Sequence, residues 1–306
     1  MKPIIKILAM VFLLAGQADS QTFEKNLAGA YLGQKAPDIA PEIFAEGIIS
    51  TNESEGCSGW GNNMEYFVFQ RWMNRKSYLY IMNQINGEWS KPELLPFSEK
   101  YQAGDFTIAP DGKILIFASN IPIDEIGSEG EGGNIWIVEK SEKGWTKPRH
   151  IGRPINTKYH DSYPSLAANK NLYYFSRKPG GEGESDLYFS EFKNGRYQSP
   201  MNLGKGLNTA AHEWDPFIAP DESYLIYCSM MPGGLGSDDF YVAFKQENGN
   251  WGKPVHMGNV INSEKSENRP YVSPDGKYFF YASNKNGNWD IYWVSARIIE
   301  ALRPNE

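Results

Sequence analysis

The stretch "RPYVSPDGKYFFYAS", residues 269–283, decides the fold because the chain repeats it. "DPFIAPDESYLIYCS" stands at 215–229 and "DFTIAPDGKILIFAS" at 105–119. Two fainter copies, "CSGWGNNMEYFVFQR" at 57–71 and "YPSLAANKNLYYFSR" at 163–177, complete a set of five. Aligned on the turn residue, the copies bring Asn63, Asp111, Asn169, Asp221 and Asp275 into register, with spacings of 48, 58, 52 and 54 and a mean of 53. A self-similar period near fifty marks a solenoid or a propeller, and the residues inside each copy choose between them.

In the last copy, "RPYVS" is a short strand of aromatic and β-branched residues. In the "PDG" that follows, Pro274 presets φ, Asp275 can accept from the backbone ahead and Gly276 tolerates a positive φ, so the chain turns tightly. "KYFFYAS" is a second strand, and its nearly continuous apolar run predicts burial on both faces. A Gly/Asn loop, "NKNGN", leads to a third strand, "WDIYWVS". Between copies, "NGEWSKPELLP", "KGWTKPRHIG", "NGRYQSPMNLG" and "NGNWGKPVHMG" supply a hairpin and a fourth strand carrying Pro92, Pro148, Pro200 or Pro254. Proline lacks the N–H that a central strand must donate, so this strand belongs at a sheet edge. No stretch has sustained helical periodicity. The expected fold is all-β: a five-bladed β-propeller of four-stranded antiparallel blades.

The fifth copy lacks a fourth strand of its own. "APEIFAEGIISTNESE", residues 40–55, matches "KPVHMGNVINSEKSE" with one residue inserted, so a strand from about 41 to 49 is expected to complete the last blade. That N-terminal strand closes the ring and hides edges that would invite aggregation.

The "SPDG" or "APDG" turn, the following "GG.G..D[IL]Y" pattern and the phrases Ile155-Asn156-Thr157 and Ile261-Asn262-Ser263 resemble the TolB-like propeller repeats of exported bacterial proteins. The resemblance covers essentially all of residues 21–306 and implies a single propeller domain. It implies little about function, because such propellers serve as scaffolds, binding domains and enzyme appendages. The first copy departs most, with "NNM" for "PDG" and Tyr78 where Asp186, Asp239 and Asp290 stand in other copies.

Residues 1–20 read as a secretory signal peptide: Lys2 and Lys6, an apolar run from Ile7 to Ala15, then small residues at Ala18 and Ser20. The run is too short to span a bilayer, no cysteine follows it for lipid attachment, and no other segment has transmembrane length. A periplasmic or secreted protein is expected. Loss of Lys2, Lys6 and Asp19 with the leader takes the net charge from −7 to −8. An acidic surface of this kind speaks against a nucleic-acid partner. Cys57 and Cys228 lie in copies far apart along the chain and are read as two buried thiols rather than a bridge.

Strand direction places the "PDG" turns at one rim, the bottom, and the Gly-rich and blade-to-blade loops at the other, the top, around the channel mouth. Binding residues concentrate on loops held by a rigid scaffold. At the top an acidic residue recurs as Glu55, Asp161, Glu213 and Glu267, with Ala103 the exception. A ring of carboxylates could hold Ca²⁺. A residue wanted in nearly every blade is better read as serving the blade, capping backbone N–H groups, and the same holds for Asp186, Asp239 and Asp290. No metal or cofactor is called for.

Function should show as asymmetry between copies. The position before the proline reads Cys57, Asp105, Tyr163, Asp215 and Arg269, and the end of the second strand reads Arg71, Ser119, Arg177, Ser229 and Ser283. His160 and His212 precede their carboxylates, and Trp214 is unique to the fourth copy. Candidate ligand-binding residues are therefore Arg71, Asp105, His160, Arg177, His212, Trp214, Asp215 and Arg269. The arginines suit an anionic group, and Trp214 or Trp72 a stacked ring. The competing assignment pairs the arginines with rim carboxylates and packs the tryptophans between blades.

Catalytic signatures are thin. There is no G-x-S-x-G elbow, no H-E-x-x-H and only 4 histidines, and the Gly-rich loops lack a P-loop lysine. The primary expectation is an exported, monomeric binding or scaffold propeller whose partner is an envelope protein or a glycan. One alternative is a glycan-active hydrolase or lyase, with a carboxylate pair such as Asp105 and Asp215 acting as in five-bladed arabinanase-type folds. The other is a structural module of an envelope complex.

Overall fold

The computed structural model describes residues 27–121, 123 and 133–304. The expected signal peptide lies outside the described residues, and none of these forms a helix long and apolar enough to cross a membrane. Five antiparallel sheets form the blades. Their innermost strands are Ser54–Trp60, Gly104–Ile108, Asp161–Leu166, Glu213–Ile218 and Glu267–Val272. Each of these neighbours the next, and the fifth neighbours the first, so the ring is closed around a central channel. The second strands (66–73, 114–119, 172–176, 224–229 and 278–283) are almost wholly buried, as their continuous apolar runs require. Third strands follow at 76–85, 134–141, 186–190, 239–244 and 290–295.

The outer strands are only two residues long: Glu93–Leu94, Arg149–His150, Met201–Asn202 and Val255–His256. Each begins directly after Pro92, Pro148, Pro200 or Pro254, so the proline delimits the edge ladder rather than sitting within it. In the fifth blade this place is taken by Glu42–Ile43, paired antiparallel with 290–295, which is the N-terminal closure expected from the sequence. The closing strand is shorter than the expected 41–49. Ala45 (φ 50) and Gly47 (φ 79) reverse the chain after Phe44, and the reversal brings Ser50 under the N–H of Ile291 (3.2 Å).

Closure has a second component. Tyr31 donates from its hydroxyl to the Asp275 carboxylate of the fifth blade's bottom turn (2.6 Å) and packs edge-on against Trp60 of the first blade (5.3 Å). Just upstream, Gly29 accepts from the indole N–H of Trp89 (2.8 Å). The segment from Leu27 to Gly33 thus fastens the first and fifth blades together at the bottom rim.

Candidate binding site at the channel mouth

Every inner strand carries a register shift about two residues in, as between Glu55 and Ser58, Trp214 and Phe217, or Asn268 and Tyr271. The residue at this bulge is left-handed in four blades: Asp105 (φ 41), Tyr163 (φ 46), Asp215 (φ 49) and Arg269 (φ 60). Such a φ costs a non-glycine residue about 1 kcal/mol. A bulge re-aims one side chain out of the pleat, and here it turns one side chain per blade toward the channel. The five side chains gather in one place: Asp105, Cys57, Asp215 and Tyr163 all lie within electrostatic reach of Arg269. The backbone device repeats while the side chains do not.

Arg269 is the centre of this cluster. Its Nε lies 3.7 Å from an Asp105 oxygen, within ion-pair range but beyond a hydrogen bond. Its Nη1 donates to Asn268 (2.6 Å), and its backbone N–H donates to Asp215 (3.3 Å). The guanidinium lies over Trp72 at 4.7 Å and near Trp289 at 5.7 Å. Ser162 donates to the other Asp105 oxygen (3.2 Å). Burial pushes the Asp215 carboxyl up to about 8, against the opposing pull of Arg269, and the Asp105 charge adds to the rise. Burial also works against the charge on Arg269, but the flanking carboxylates outweigh it and raise its pKa. Two polar atoms here are buried without a hydrogen-bond partner, Nε of Arg269 and Oδ1 of Asp238, while the Asp105 side chain keeps 31% of its surface.

The other candidates are held elsewhere. Arg71 donates to Glu55 (2.6 Å) and to the carbonyls of Ile49 (2.9 Å) and Ile48 (3.4 Å), which ties the first blade to the closing segment. His212 bridges Ser185 (3.3 Å) and Glu184 (3.2 Å) and lies against Trp214, ring centres 5.3 Å apart. His160 accepts from the N–H of Gly133 (2.9 Å) and stacks on Phe175. Arg177 is exposed, and the register places Ser176, not Arg177, opposite Asp161. The bottom turn of the third blade is one residue shorter than its counterparts: Ala167 bonds to Asn171, where Ala109 bonds to Ile114 and Ser273 to Tyr278. An ungapped alignment of the copies therefore slips by one after that turn.

The recurrent rim carboxylates are engaged by the chain. Asp161 accepts from the N–H and hydroxyl of Thr157 and from Ser176, Glu213 likewise from Thr209 and Ser229, and Glu267 from Ser263 and Ser283. Glu55 repeats the pattern with Thr51, Arg71 replacing the serine. Asp186 and Asp239 accept from loop N–H groups at Glu182 and Leu235 and so hold their hairpins. Among the described residues no group of three His, Cys, Asp or Glu side chains could hold a metal ion. Cys57 and Cys228 are free buried thiols.

Trp289 and Asp238 belong to the mouth and were not among the candidates. The column that holds them, at or just before the start of the third strand, reads Ser77, Gly133, Ser185, Asp238 and Trp289, and its unlike residues were the available signal.

No protein-family model and no curated protein matches the sequence. Solved structures do resemble the chain. An endo-arabinase from Bacteroides thetaiotaomicron VPI-5482 is 11% identical with a TM-score of 0.54, over 85% of this chain and 97% of that one. A thermostable family-43 glycoside hydrolase is 13% identical with a TM-score of 0.52, over 81% and 90%. A protein described as TolB from Agrobacterium tumefaciens is 16% identical with a TM-score of 0.50, over 76% and 71%. The likeness is one of fold.

Proposed function

We propose that this is an exported, monomeric binding protein that holds the end of a neutral glycan at the top mouth of the channel. The observation that carries the proposal is the unspent hydrogen-bonding capacity around Arg269. Its Nε has no acceptor, and Asp105 and Asp238 retain acceptor capacity. Trp72 and Trp289 stand beside them as apolar walls. Convergent donors and acceptors beside aromatic faces suit a polyhydroxylated ring, whose hydroxyls both donate and accept. Arg269 already has carboxyl groups of the chain beside it, Asp105 and Asp215, so the site does not demand a charged ligand.

A second reading, a glycan hydrolase, is favoured by one observation. Asp215 holds its proton near neutral pH, the state a general acid needs, close to a second carboxylate on a blade two removed. The glycoside hydrolases named above share the fold, which gives this reading a scaffold but no residues.

One experiment separates the two. The mature protein is screened against a glycan and muropeptide array, and the best ligand is titrated against wild type, Trp72→Ala and Asp215→Asn. Binding should weaken in Trp72→Ala, and Asp215→Asn should change affinity by about 1–3 kcal/mol with no product formed by any variant. Depolymerisation by the wild type that falls about 10²-fold or more in Asp215→Asn, with binding intact, establishes the hydrolase instead. Absence of binding to every glycan refutes both.

A further inference from the structure

A different observation lies on the outer side of the ring, low in the seam between the second and third blades. In two other seams a second-strand ring of one blade meets a hairpin tryptophan of the next. Tyr66 of the first blade meets Trp145 of the second at 5.7 Å, and Tyr173 of the third, two residues further along its strand than Tyr66, meets Trp251 of the fourth at 6.3 Å. Between the second and third blades both partners are smaller. Ile114 stands where the first blade has Tyr66, and Tyr197 stands where "NGEW", "KGW" and "NGNW" have tryptophan. Tyr197 packs against the isoleucine-rich cluster of this seam and lies edge-on to Phe192 of its own hairpin at 5.0 Å. The result is a cleft of about 530 Å³, within the range of small-molecule sites. Its floor is apolar: Ile114, Ile137, Ile151, Leu166 and Phe192.

The rim is basic in a chain whose net charge is −7. Arg149, Arg153, Lys170 and Arg196 line it, with Glu139 the one carboxylate. The run from 143 to 158 supplies Lys143, Lys147, Arg149, Arg153 and Lys158 and no acidic residue. Glu139 is paired with Arg149 at 3.0 Å. Among the described residues no carboxylate comes within ion-pair distance of Arg153, Lys170 or Arg196. An under-filled apolar seam exposes surface at a free-energy cost that an apolar body relieves. Exposed guanidinium groups beside it select for an anion and bind it by forked hydrogen bonds.

We propose that this cleft is a second binding site, separate from the channel mouth, for a small amphiphilic organic anion. Its apolar body fills the gap beside Tyr197, and its acidic head meets Arg153 and Arg196. The head chemistry, a sulfonate, carboxylate or phosphate, is shared by soluble aromatic acids and by fatty acids.

The probe is 1-anilinonaphthalene-8-sulfonate, titrated by fluorescence into the folded mature protein, with N-phenyl-1-naphthylamine as the uncharged analogue. One saturable site is expected, with the uncharged analogue bound about tenfold more weakly. Tyr197→Trp installs the ring that the hairpins of the first, second and fourth blades carry, so it should keep the melting curve and lower affinity about tenfold or more. The exposed pair Arg153→Ala/Arg196→Ala should do the same without affecting the fold, and Trp72→Ala at the mouth should change nothing. Displacement by myristate but not by benzoate assigns the site to fatty acids, and the reverse assigns it to aromatic acids. Absence of saturable binding, or affinity unchanged in both Tyr197→Trp and the arginine pair, overturns the proposal.

Discussion

Asp215 gives the clearest consequence at the scale of a residue. Folded, its carboxyl keeps a proton up to about 8 because burial opposes the charge, whereas an unfolded aspartate releases it near 4, roughly. Between those values the native state holds the extra proton. The stabilisation is therefore complete below the unfolded value and is lost as pH rises through the folded one. Asp161, pushed up to about 6 by burial, acts in the same direction but over a lower window. Asp238, Glu55, Glu213 and Asp290 are raised by burial too and act in the same direction, and Asp215 contributes the part of the decline that extends to pH 8. Melting temperature measured against pH should fall from about pH 6 to about pH 8 in the wild type, and Asp215→Asn should flatten the fall by about 2 °C or more. An identical slope in the variant would remove Asp215 from the account.

At the scale of an element, each third strand is fastened by one polar side chain from the blade-to-blade loop. Asn156, Asn208 and Asn262 each accept from the backbone N–H and donate to the carbonyl of one strand residue: Ile135, Leu187 and Phe240. The amide imitates a neighbouring strand where the outer strand is too short to pair. In the N-terminal closure Ser50 takes this place, bonded to Ile291, and in the first blade Ser98 does so, bonded to Leu79 (2.6 Å). The carbonyl of the same residue also accepts from the outer segment, at Ile151, Leu203 and Met257 in the asparagine blades and at Leu95 and Phe44 in the serine ones, so the N–H is the group that depends on the side chain. Asn262→Ala leaves the buried N–H of Phe240 without an acceptor, while its carbonyl keeps the N–H of Met257 (3.0 Å), and should lower stability in urea denaturation by about 1–3 kcal/mol, as should Ser98→Ala at Leu79. A loss below about 0.5 kcal/mol in both variants would contradict the strand-mimic role.

At the scale of the molecule, the ring is held shut by residues near the start of the described chain: the Tyr31 contacts at the bottom, the Glu42–Ile43 ladder at the edge, and Ser50 and Thr51 at the top. A propeller opened at one seam exposes its apolar blade faces and a free edge. Removing residues 21–50 should yield a protein that aggregates on size exclusion and loses its cooperative thermal transition. A monomeric truncation with the wild-type melting curve would show that the first and fifth blades hold together unaided. Rigidity of the closed ring also fixes the geometry of the channel mouth, since the bulge residues come from five blades and keep their positions only if every seam holds.

The repeat, the number of blades, the proline-delimited edges and closure from the N-terminus were legible in the sequence alone. They rest on local chemistry, namely alternation along strands, turn residues, and a proline that cannot donate. The column Cys57, Asp105, Tyr163, Asp215 and Arg269 was legible too, as the place where the copies differ. Which candidates meet was settled only by the tertiary structure. Left-handed bulges aim Asp105, Asp215 and Arg269 at one point from positions up to 164 residues apart, beside Trp72 and Trp289. Arg71, at the end of a matching strand, goes instead to Glu55 and the closing segment. The shorter turn that displaces Arg177 and the seam that Ile114 and Tyr197 leave under-filled were hidden for the same reason. Side-chain direction depends on the sign of φ at single residues, and packing depends on which side chains face each other across blades, and neither leaves a periodic trace along the chain.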